Sequence, residues 1–587
     1  MASPEVCVVA IDIGTTATRY AYSLKHDYMS DPGKIVLNCD WPDGKNRYIH
    51  PKAPTCVLLK PDKSFHSFGL EAACQYTDLC EENEQDDWYF FQNFKTTLCN
   101  TMKLRRSHTI PDITGKKSLP ARDVFAHIIT YLKDDMVENV RKTIEHVDDD
   151  FFRWVLTVPD LWDVGAKTII QEAALQSGIK EQNLIIALQS EAAVQFCDTL
   201  PEVEKQETGT EYMVLHIGAK SVDVTVQRTF GDRNQEKMFQ NSDTILGGIL
   251  TEDSFFAFLA EIFGTDVMRN FTTKCTWSAF DLIKDFEVKK RKITNVDSNP
   301  VKMSMPCRLF EMCENEFGTS IREHIEHTLY KGRIRTTADK LLVDLDIFKN
   351  VFTLPIKSAV GYINNLFKTD ACKNVSTLLL VGGFFECILI QDAIRKNFPD
   401  KRIIIPEDSG LAVVKGAVLF GHSPPSVRYR VLRFTYGIST TRKFEPGDPI
   451  DNKVIVRDEE FCRGIFTKHV GIGQTVAIGE TFETKKYRPL HKKPKSVTVR
   501  IFISSEDNPR YTTSPFSQLL GAIDVPLSSG AGENTVIEVR MKFLDTELIC
   551  EACEENSTSV SANLRFPESE NSDYDLKKNS EADIVLH

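Results

Sequence analysis

The stretch Val8-Val9-Ala10-Ile11-Asp12-Ile13-Gly14-Thr15-Thr16 reads as an apolar strand that ends in a polar, glycine-containing turn, and Tyr20-Ala21-Tyr22 begins a return strand. A second hairpin of this kind lies about 200 residues later, where Met213-Val214-Leu215 leads through His216-Ile217-Gly218-Ala219-Lys220-Ser221 into strand 222–226. Glycine in such a turn lets the backbone approach a ligand, and neighbouring hydroxyls suit phosphate oxygens. The repeat predicts a duplicated α/β domain that holds phosphate between its halves.

The composition is that of a globular protein with more than one domain. A chain of 587 residues is too long for a single core, so roughly two to four domains are expected. Hydrophobic residues make up 42% and charged residues 26%, which is ordinary for a globular chain. The net charge of -12 argues against a general nucleic-acid binder, which needs a basic surface.

The N-terminus lacks the basic region of a signal peptide and passes directly into a strand. No apolar run approaches the roughly 18 residues of a membrane span. The 15 cysteines follow no disulfide framework, which is typical of reduced thiols. The pair in Cys550-Glu551-Ala552-Cys553 stands alone, so a structural role is favoured over metal or redox chemistry. We therefore expect a cytoplasmic or nuclear protein without a membrane span.

Strand and helix signals alternate from residue 1 to 425. The apolar run 152–158 predicts a strand, residues 166–176 predict a helix that ends before Gly178, and 184–188 predicts a further strand. Continuous apolar strands followed by helices indicate mixed or parallel sheets covered on both faces.

The pattern changes to a period of two in residues 426–566. Val497, Val499, Ile501 and Ile503 alternate with other side chains, which predicts a separate, β-rich domain of mostly antiparallel strands. The last segment, 567–587, holds six acidic residues against two lysines and few apolar residues. We expect it to be a disordered acidic tail.

Two further glycine pairs stand between a strand and a helix. They are Gly247-Gly248, after Leu246, and Gly382-Gly383, after Val381. Such a pair brings the backbone close to a ligand and aims free amides at it. The chain contains no P-loop of the pattern G-x-x-x-x-G-K-[ST]. One glycine motif alone is as well explained by packing, but four in this order indicate a nucleotide site of another kind.

The order of these motifs resembles the actin-like ATPases, which include actin, sugar kinases and the 70-kDa heat-shock chaperones. The match is closest to the divergent subfamily 12 of those chaperones, and it extends over nearly all of residues 5–566. The stretches that carry it, besides 9–16, are Asn93-Phe94-Lys95, Leu156-Thr157-Val158-Pro159 with Trp162, Phe286-Glu287-Val288-Lys289-Lys290-Arg291, Val381-Gly382-Gly383-Phe384 with Glu386, Ile405-Pro406, 411–418, Thr435-Tyr436-Gly437 and Ser505-Glu506-Asp507-Asn508. The resemblance implies a duplicated, ribonuclease H-like ATPase domain followed by a reduced peptide-binding domain.

The resemblance also implies an ATP or ADP site with Mg²⁺. Asp12 would hold the hydrated Mg²⁺, since that ion prefers few carboxylates plus water. Gly14, Thr15 and Thr16 would wrap the β- and γ-phosphates. Lys95 matches a phosphate-facing lysine, which stabilises charge on a transferring phosphoryl group; the alternative is a solvated helix lysine.

The remaining implied contacts lie on the adenosine side and in the second hairpin. Glu287, Lys290 and Arg291, which can share one helix face, match a helix that contacts the ribose and stacks on adenine. Gly382 and Gly383 would pass under the adenosine. The other implied nucleotide contacts are Gly218, Ser221, Gly247 and Gly248.

Several positions depart from the family pattern near the expected phosphates. His216 stands where an aspartate is usual, and Ala219 and Lys220 replace glycines. Gln189 replaces a glutamate, so a carboxylate is lost unless Glu191 reaches back. Histidine cannot order a hard cation or water as a carboxylate does. Nucleotide binding should therefore survive more readily than hydrolysis, and the catalytic candidates are Lys95, Asp12 and Glu191.

We therefore expect a chaperone-like, ATP-binding protein with a role in the stress response and weak or absent hydrolysis. Its partners would be protein or peptide clients and co-chaperones, with no nucleic acid. No helical lid is visible after the β-rich segment, so bound peptide should exchange rapidly. One alternative is a non-enzymatic scaffold that uses nucleotide as a structural ligand; another is a small-molecule kinase of the same superfold, against which the β-rich region argues.

Overall fold

The computed structural model of the chain describes residues 7–42, 47–98, 107–144, 147–162, 164–204, 207, 209–218, 221–230, 234–243, 249–297, 299–424, 429–432, 434–456, 458–490, 494–544, 548–555, 557, 559–564 and 584–586. The chain divides into two compact units. Unit 1 comprises Met1–Cys99, Thr109–Leu161 and Ala173–Pro424, and unit 2 comprises Asn100–His108, Trp162–Glu172 and Pro425–His587.

The strands of unit 1 are β1 Cys7–Ile13, β2 Ala17–Leu24, β3 Val36–Leu37, β4 Asp40–Pro42, β5 Arg47–Ile49, β6 Ala53–Pro54, β7 Cys56–Leu59, β8 Phe65–Phe68, β9 Tyr89–Gln92, β10 Thr109–Pro111, β11 Ser118–Pro120, β12 Phe152–Val158, β13 Leu184–Leu188, β14 Glu211–Ile217, β15 Val222–Phe230, β16 Asn234–Asp243, β17 Val301–Ser304, β18 Ile334–Thr337, β19 Lys340–Val343, β20 Thr377–Val381 and β21 Arg402–Ile404. Those of unit 2 are β22 Tyr429–Val431, β23 Thr435–Lys443, β24 Lys453–Val456, β25 Glu459–Val470, β26 Thr475–Ala477, β27 Lys485–Pro489, β28 Ser496–Ser504, β29 Ser517–Pro526, β30 Ile537–Phe543, β31 Leu548–Glu554, β32 Val560–Leu564 and β33 Ile584–Leu586. The helices of the chain are α1 Lys25–Ser30, α2 Gly69–Glu82, α3 Ala121–Arg141, α4 Val164–Gln176, α5 Gln189–Cys197, α6 Pro201–Glu204, α7 Ile249–Phe263, α8 Thr265–Lys274, α9 Thr276–Lys292, α10 Cys307–Phe317, α11 Ile321–Glu326, α12 Leu345–Asn350, α13 Thr353–Phe367, α14 Ile388–Asn397 and α15 Ala412–His422.

Two sheets of unit 1 have the same strand order. In the first sheet, antiparallel β1 and β2 are followed by β3 on one side, while β12 and β13 continue the other side in parallel. In the second, antiparallel β14 and β15 are followed by β16, while β20 and β21 continue in parallel. The predicted mixed α/β class is confirmed.

Helices α5 and α15 pack between these two sheets. Their small side chains share one hydrophobic cluster with residues of both sheets, namely Val8, Ala10, Val155, Ala187, Ala192, Ala193, Val214, Leu379, Val381, Ala412, Val414 and Ala417. Gly416 allows the two helices to approach closely, because a Cβ there would lie 1.7 Å from the carbonyl oxygen of Ala192. The shared cluster fixes the ends of β1 and β14 relative to each other, and both hairpin turns lie at those ends.

The larger core of unit 1 lies around the second sheet. Apolar side chains of β14, β15 and β20 pack there with those of α7–α14, and among them are Leu215, Val224, Phe255, Phe286 and Leu380. Helix α9 ends in four consecutive basic residues, Lys289 to Lys292, which suit the negative end of the helix dipole.

Unit 2 contains two five-stranded antiparallel sheets. One has the order β24-β25-β23-β28-β29 and the other β32-β31-β30-β27-β33. Both contribute to one core, in which Tyr436 contacts Phe543 with ring centroids 5.1 Å apart. Strand β30 alternates between buried and half-buried residues, whereas β28 is buried on both faces after its first residue. The alternation predicted for 497–503 therefore reflects a central strand covered on both sides.

The prediction of a disordered tail is wrong for its last described residues. Ile584–Leu586 forms β33, which pairs with β27, and Ile584 is buried. This apolar triplet follows the acidic segment and can pair with the edge strand of a sheet. The net charge of the segment does not reveal this pairing. The preceding residues, 567–583, lie outside the described residues.

Cys550 and Cys553 are buried, unpaired thiols on β31, and burial raises the pKa of Cys550 to about 12. The described residues contain no cluster of three or more metal-ligating side chains. They also contain no helix that is long and apolar enough to cross a membrane.

Candidate functional site

The two hairpin turns of unit 1 close with the same backbone hydrogen bond. The Gly14 amide donates to the Ala17 carbonyl at 3.0 Å, and the Gly218 amide donates to the Ser221 carbonyl at 2.9 Å. Gly14 cannot be replaced easily, since a Cβ there would lie 2.3 Å from the Ala17 oxygen. The same closing hydrogen bond thus forms in both hairpins, although their side chains differ.

A cavity of about 110 Å³ opens between the two turns. Its lining includes most of the predicted site. The residues that contribute are Asp12, Gly14, Thr15, Thr16, Ala17, Arg19, Lys52, Lys95, Pro159, Gln189, His216, Gly218, Ser221, Glu252, Glu287, Lys290, Gly382, Gly383, Phe384, Ser409, Gly410 and Val413. The structure therefore brings together the strand ends of both sheets, as the sequence predicted.

Asp12 lies buried at the end of β1 with both carboxylate oxygens engaged. Oδ1 accepts hydrogen bonds from Thr157 Oγ1 at 2.7 Å and Gln189 Nε2 at 2.9 Å. Oδ2 lies 3.5 Å from the Arg19 guanidinium. Burial alone would raise the pKa of Asp12, but Lys95, Arg19 and the two hydrogen bonds hold it below its usual value. Asp12 is therefore an ionised carboxylate paired with cations.

Lys95 is buried and donates a hydrogen bond to the Ile13 carbonyl. It belongs to the short 3₁₀ helix Phe94–Leu98, which follows β9. This position contradicts the alternative of a solvated helix lysine. Thr15 and Thr16 are half-buried in the adjacent turn and line the cavity.

His216 occupies the place in the second hairpin that Asp12 holds in the first. It is opposite Asp223 in the β14–β15 register, as Asp12 is opposite Arg19 in the β1–β2 register. His216 Nδ1 lies 3.2 Å from Asp223 Oδ2, and both side chains are buried. Asp223 Oδ1 is buried without a hydrogen-bond partner among the described residues. A basic group thus faces the cavity where the first hairpin presents an acid.

Helix α9 and its neighbours supply a second charged group on the opposite side of the cavity. Glu287 pairs with Lys290 on the same helix face, and Lys52 Nζ lies 3.9 Å from Glu287 Oε2. Although burial opposes ionisation, Lys290 and Lys52 lower the pKa of Glu287 to about 2. Burial and the nearby Glu287 raise the pKa of Glu252 to about 7. The cluster contains one firmly ionised acid and one that titrates near neutrality.

Arg291 is not among the described lining residues of this cavity, and it pairs with Glu386 at 2.7 Å. Gly382 precedes Glu386 and has a left-handed φ of +103°. A Cβ at Gly382 would lie 2.2 Å from the Ile217 carbonyl oxygen, so the chain needs glycine there. Gly383 has no such constraint, because its nearest neighbour is Glu386 Oε2 at 3.7 Å. The predicted adenosine-side residues are therefore adjacent, with an ion pair that the sequence did not reveal.

Some predicted residues are not brought to the cavity or cannot be placed. Glu191 accepts a hydrogen bond from the Leu188 amide at the start of α5, and the described cavity lining does not include it. Gln189 instead reaches Asp12. Gly247, Gly248, Ala219 and Lys220 lie outside the described residues.

Several lining residues were missed as site residues, and those with polar or charged side chains include Arg19, Lys52, Glu252 and Ser409. Arg19 could have been found, because hairpin register places it opposite Asp12. Lys52 and Glu252 arrive from distant segments by tertiary packing, for which the sequence pattern gives no signal. Ser409 belongs to no recognisable sequence motif, but its carbonyl accepts a hydrogen bond from the Gly382 amide at 2.7 Å.

The donor set offers Mg²⁺ a minimal site. Asp12 is a carboxylate that lines the cavity at the end of β1, and its oxygens already meet Thr157, Gln189 and Arg19. Mg²⁺ keeps several waters and needs only one or two carboxylates plus substrate phosphates. Asp12 can therefore hold such an ion through water, but the residues do not form a protein cage.

A larger cavity of about 590 Å³ adjoins the smaller one and shares Thr16, Lys52, Glu252 and Glu287 with it. Its wall is mainly apolar, with Leu70, Phe256, Met268, Trp277 and Phe280 among the lining residues. Arg291 also lines this cavity. The two cavities together offer space for a ligand with a charged end and a less polar body.

Three of the curated proteins that match the chain resemble it over nearly its whole length. Heat shock 70 kDa protein 12A of Mus musculus is 29% identical, and the alignment covers 95% of this chain and 91% of the relative. Heat shock 70 kDa proteins 12A and 12B of Homo sapiens are each 28% identical with the same coverage. No protein-family model matches the chain. The resemblance to subfamily 12 of the 70-kDa heat-shock proteins is confirmed.

Proposed function

We propose that this relative of the subfamily 12 heat shock 70 kDa proteins is a chaperone-like protein that binds ATP or ADP and hydrolyses ATP weakly or not at all. The observation that carries the proposal is the cavity between the two hairpin turns, lined by Gly14, Thr15, Thr16, Lys95 and Gly382. It combines backbone turns, hydroxyls and a buried lysine, which suit phosphate. The matching order of the two sheets supports a duplicated actin-like domain.

The adenosine would lie toward α9. Glu287 and Lys290 line the phosphate cavity from that helix, and Arg291 lines the adjoining larger cavity. A nucleotide could therefore place its phosphates between the turns and its ribose beside Glu287. The Arg291–Glu386 pair would form one wall of the base site, with the planar guanidinium available for stacking.

Weak hydrolysis follows from the groups at the phosphate end. Gln189 and His216 stand where the family pattern has carboxylates, and Glu191 caps α5 instead of lining the cavity. Attack of water on a phosphoryl group needs an oriented water and preorganised charge. Asp12 is the remaining acid there, and it is already bound to two donors and a cation.

The client-binding part would be unit 2. Strand β24 pairs with β25 on one side only in the described structure, and Ile455 on this strand is 72% exposed. The neighbouring Ile450 is 82% exposed. An unpaired edge with exposed isoleucines suits an extended peptide that adds as a strand. We propose protein or peptide clients and co-chaperones as partners, and a cytoplasmic or nuclear location.

Calorimetric titration of the full chain with ATP and ADP, combined with single-turnover hydrolysis of ATP, tests the proposal. We expect binding of both nucleotides and hydrolysis far slower than typical ATPase turnover. Binding without any hydrolysis or nucleotide-dependent peptide release would favour the non-enzymatic scaffold. Absence of nucleotide binding would contradict the proposed site.

A further inference from the structure

We propose that His216, oriented by Asp223, is a phosphate-binding cation, so that nucleoside di- and triphosphates bind this chain with little need for Mg²⁺. The inference rests on the proposed nucleotide site and concerns how that site neutralises the phosphate charge. Its basis is the inversion between the two hairpins: Asp12 is opposite Arg19 in the first, and His216 is opposite Asp223 in the second.

The first step concerns the orientation of the imidazole. Asp223 Oδ2 lies 3.2 Å from His216 Nδ1, which fixes a proton on that nitrogen and leaves Nε2 as the second polar atom of the ring. No residue of the described structure hydrogen-bonds Nε2, and the ring lines the phosphate cavity. A phosphate oxygen in the cavity is therefore a suitable partner for an Nε2–H donor.

The second step concerns charge. The Asp223 side chain is buried, and its Oδ1 has no hydrogen-bond partner in the described structure. A buried carboxylate is costly unless a cation or several donors compensate it. A carboxylate behind an imidazole stabilises the imidazolium when an anion meets the other side of the ring. The pair can thus present positive charge to a phosphate.

The third step concerns the other charged groups that face the same space. The cations are Arg19, Lys52, Lys95 and Lys290, and the acids are Asp12, Glu252 and Glu287. Asp12 is occupied by Arg19 and Lys95, and Glu287 by Lys290 and Lys52. His216 adds a cation whose counter-ion, Asp223, lies behind it and outside the cavity lining. The described lining therefore holds four cations against three acids, and His216 adds a further donor that can meet phosphate charge without a divalent ion.

The experiment measures ATP and adenosine affinity of the full chain by calorimetry, in EDTA and with Mg²⁺. We expect the parent to bind ATP in EDTA within about fivefold of its affinity with Mg²⁺. His216→Ala and Asp223→Asn should each weaken ATP binding in EDTA by about tenfold, the loss of one charge-assisted hydrogen bond. Adenosine affinity should stay unchanged, because the ring faces the phosphates. Thr225→Val, a buried change two residues further along β15, is the matched control and should bind like the parent.

His216→Asp provides the opposite test. It places a second acid beside the phosphates, so ATP binding should become strongly dependent on Mg²⁺, with at least about a tenfold loss in EDTA. Parent binding only with Mg²⁺ would overturn the inference and leave the nucleotide site standing. Unchanged EDTA affinity of folded His216→Ala and Asp223→Asn would overturn it as well. Absence of ATP binding under both conditions would instead remove the proposed function itself.

Discussion

The first and second hairpins of unit 1 share a backbone and differ in charge. Each turn closes with a hydrogen bond from glycine to the residue three positions later, and each strand end faces the same cavity. The first hairpin presents Asp12 with Arg19 opposite, and the second presents His216 with Asp223 opposite. The comparison shows that two hairpins of the same register place a polar pair at the same position but with opposite order of acid and base, because the backbone fixes the position and not the charge.

The largest expected difference between the two hairpins is the loss of stability when the acidic residue is replaced. Asp12 faces Arg19 and Lys95, which stay charged, so Asp12→Asn leaves two cations without their carboxylate. We expect a loss of about 3 kcal/mol in the free energy of unfolding, typical of a broken buried pair. Asp223→Asn should cost less than half of this, because Asp223 pairs with His216 alone in the described structure.

Urea unfolding of the parent and both variants at about neutral pH measures this difference. Equal losses in the two variants, or a larger loss in Asp223→Asn, would show that the hairpins are electrostatically equivalent. Such a result would remove the basis of the comparison.

A second test addresses the backbone support of the second hairpin. Gly382 packs on the Ile217 carbonyl with φ of +103°, whereas Gly383 has ordinary space around its Cβ position. Gly382→Ala should therefore destabilise the fold by about 2 kcal/mol. Gly383→Ala is the matched control and should cost little stability.

Thermal unfolding with and without ATP separates stability from binding for these two variants. A Gly382→Ala protein as stable as Gly383→Ala would mean that β20 and the second hairpin can move apart. The close approach of the two strands would then not be required by the fold.

A third test makes the second hairpin more like the family pattern. His216→Asp combined with Ala219→Gly and Lys220→Gly should raise single-turnover ATP hydrolysis at least about tenfold, because it supplies a carboxylate and restores the glycines of the family pattern. ATP affinity measured with Mg²⁺ should change little. Asp12, Thr15 and Thr16 remain as they are in this variant.

Two results would contradict this prediction for the triple variant. A parent that already turns over like an ordinary ATPase, or a triple variant no faster than the parent, would show that the second hairpin does not limit hydrolysis. The limiting group would then be Gln189, which donates to Asp12 in place of a carboxylate.

Sequence reasoning predicted what depends on local pattern. The hairpins at Asp12 and His216, the helix that ends before Gly178 and the strand before Gly382 all appear where apolar runs and glycine turns placed them. Helical spacing also placed Glu287 and Lys290 on one face. These features follow from periodicity and backbone conformation, which neighbouring residues determine.

Other features depend on packing between distant segments and could not be predicted in this way. Lys52 pairs with Glu287, and Arg291 pairs with Glu386. In each pair the two residues are far apart in the sequence. Ile584 adds to a sheet through an edge that no local pattern marks. Glu191 was expected near the phosphates, but its side chain satisfies the free amide at the start of α5.

The smallest expected effect asks whether Glu252 adds a second negative charge to that of Glu287 in the cavity at neutral pH. Glu252 lies on α7, and burial together with Glu287 raises its pKa to about 7 from an ordinary 4.5. A carboxyl with a raised pKa in the folded state stabilises the fold below pH 4.5 and loses that contribution as the pH rises through 7. The parent should therefore lose stability relative to Glu252→Gln between these values, by an amount on the order of 1 kcal/mol because Glu252 is only half-buried. Urea unfolding of both proteins across this range measures the difference. A constant difference would mean that Glu252 is ionised throughout this range and adds a second negative charge to the cavity beside Glu287.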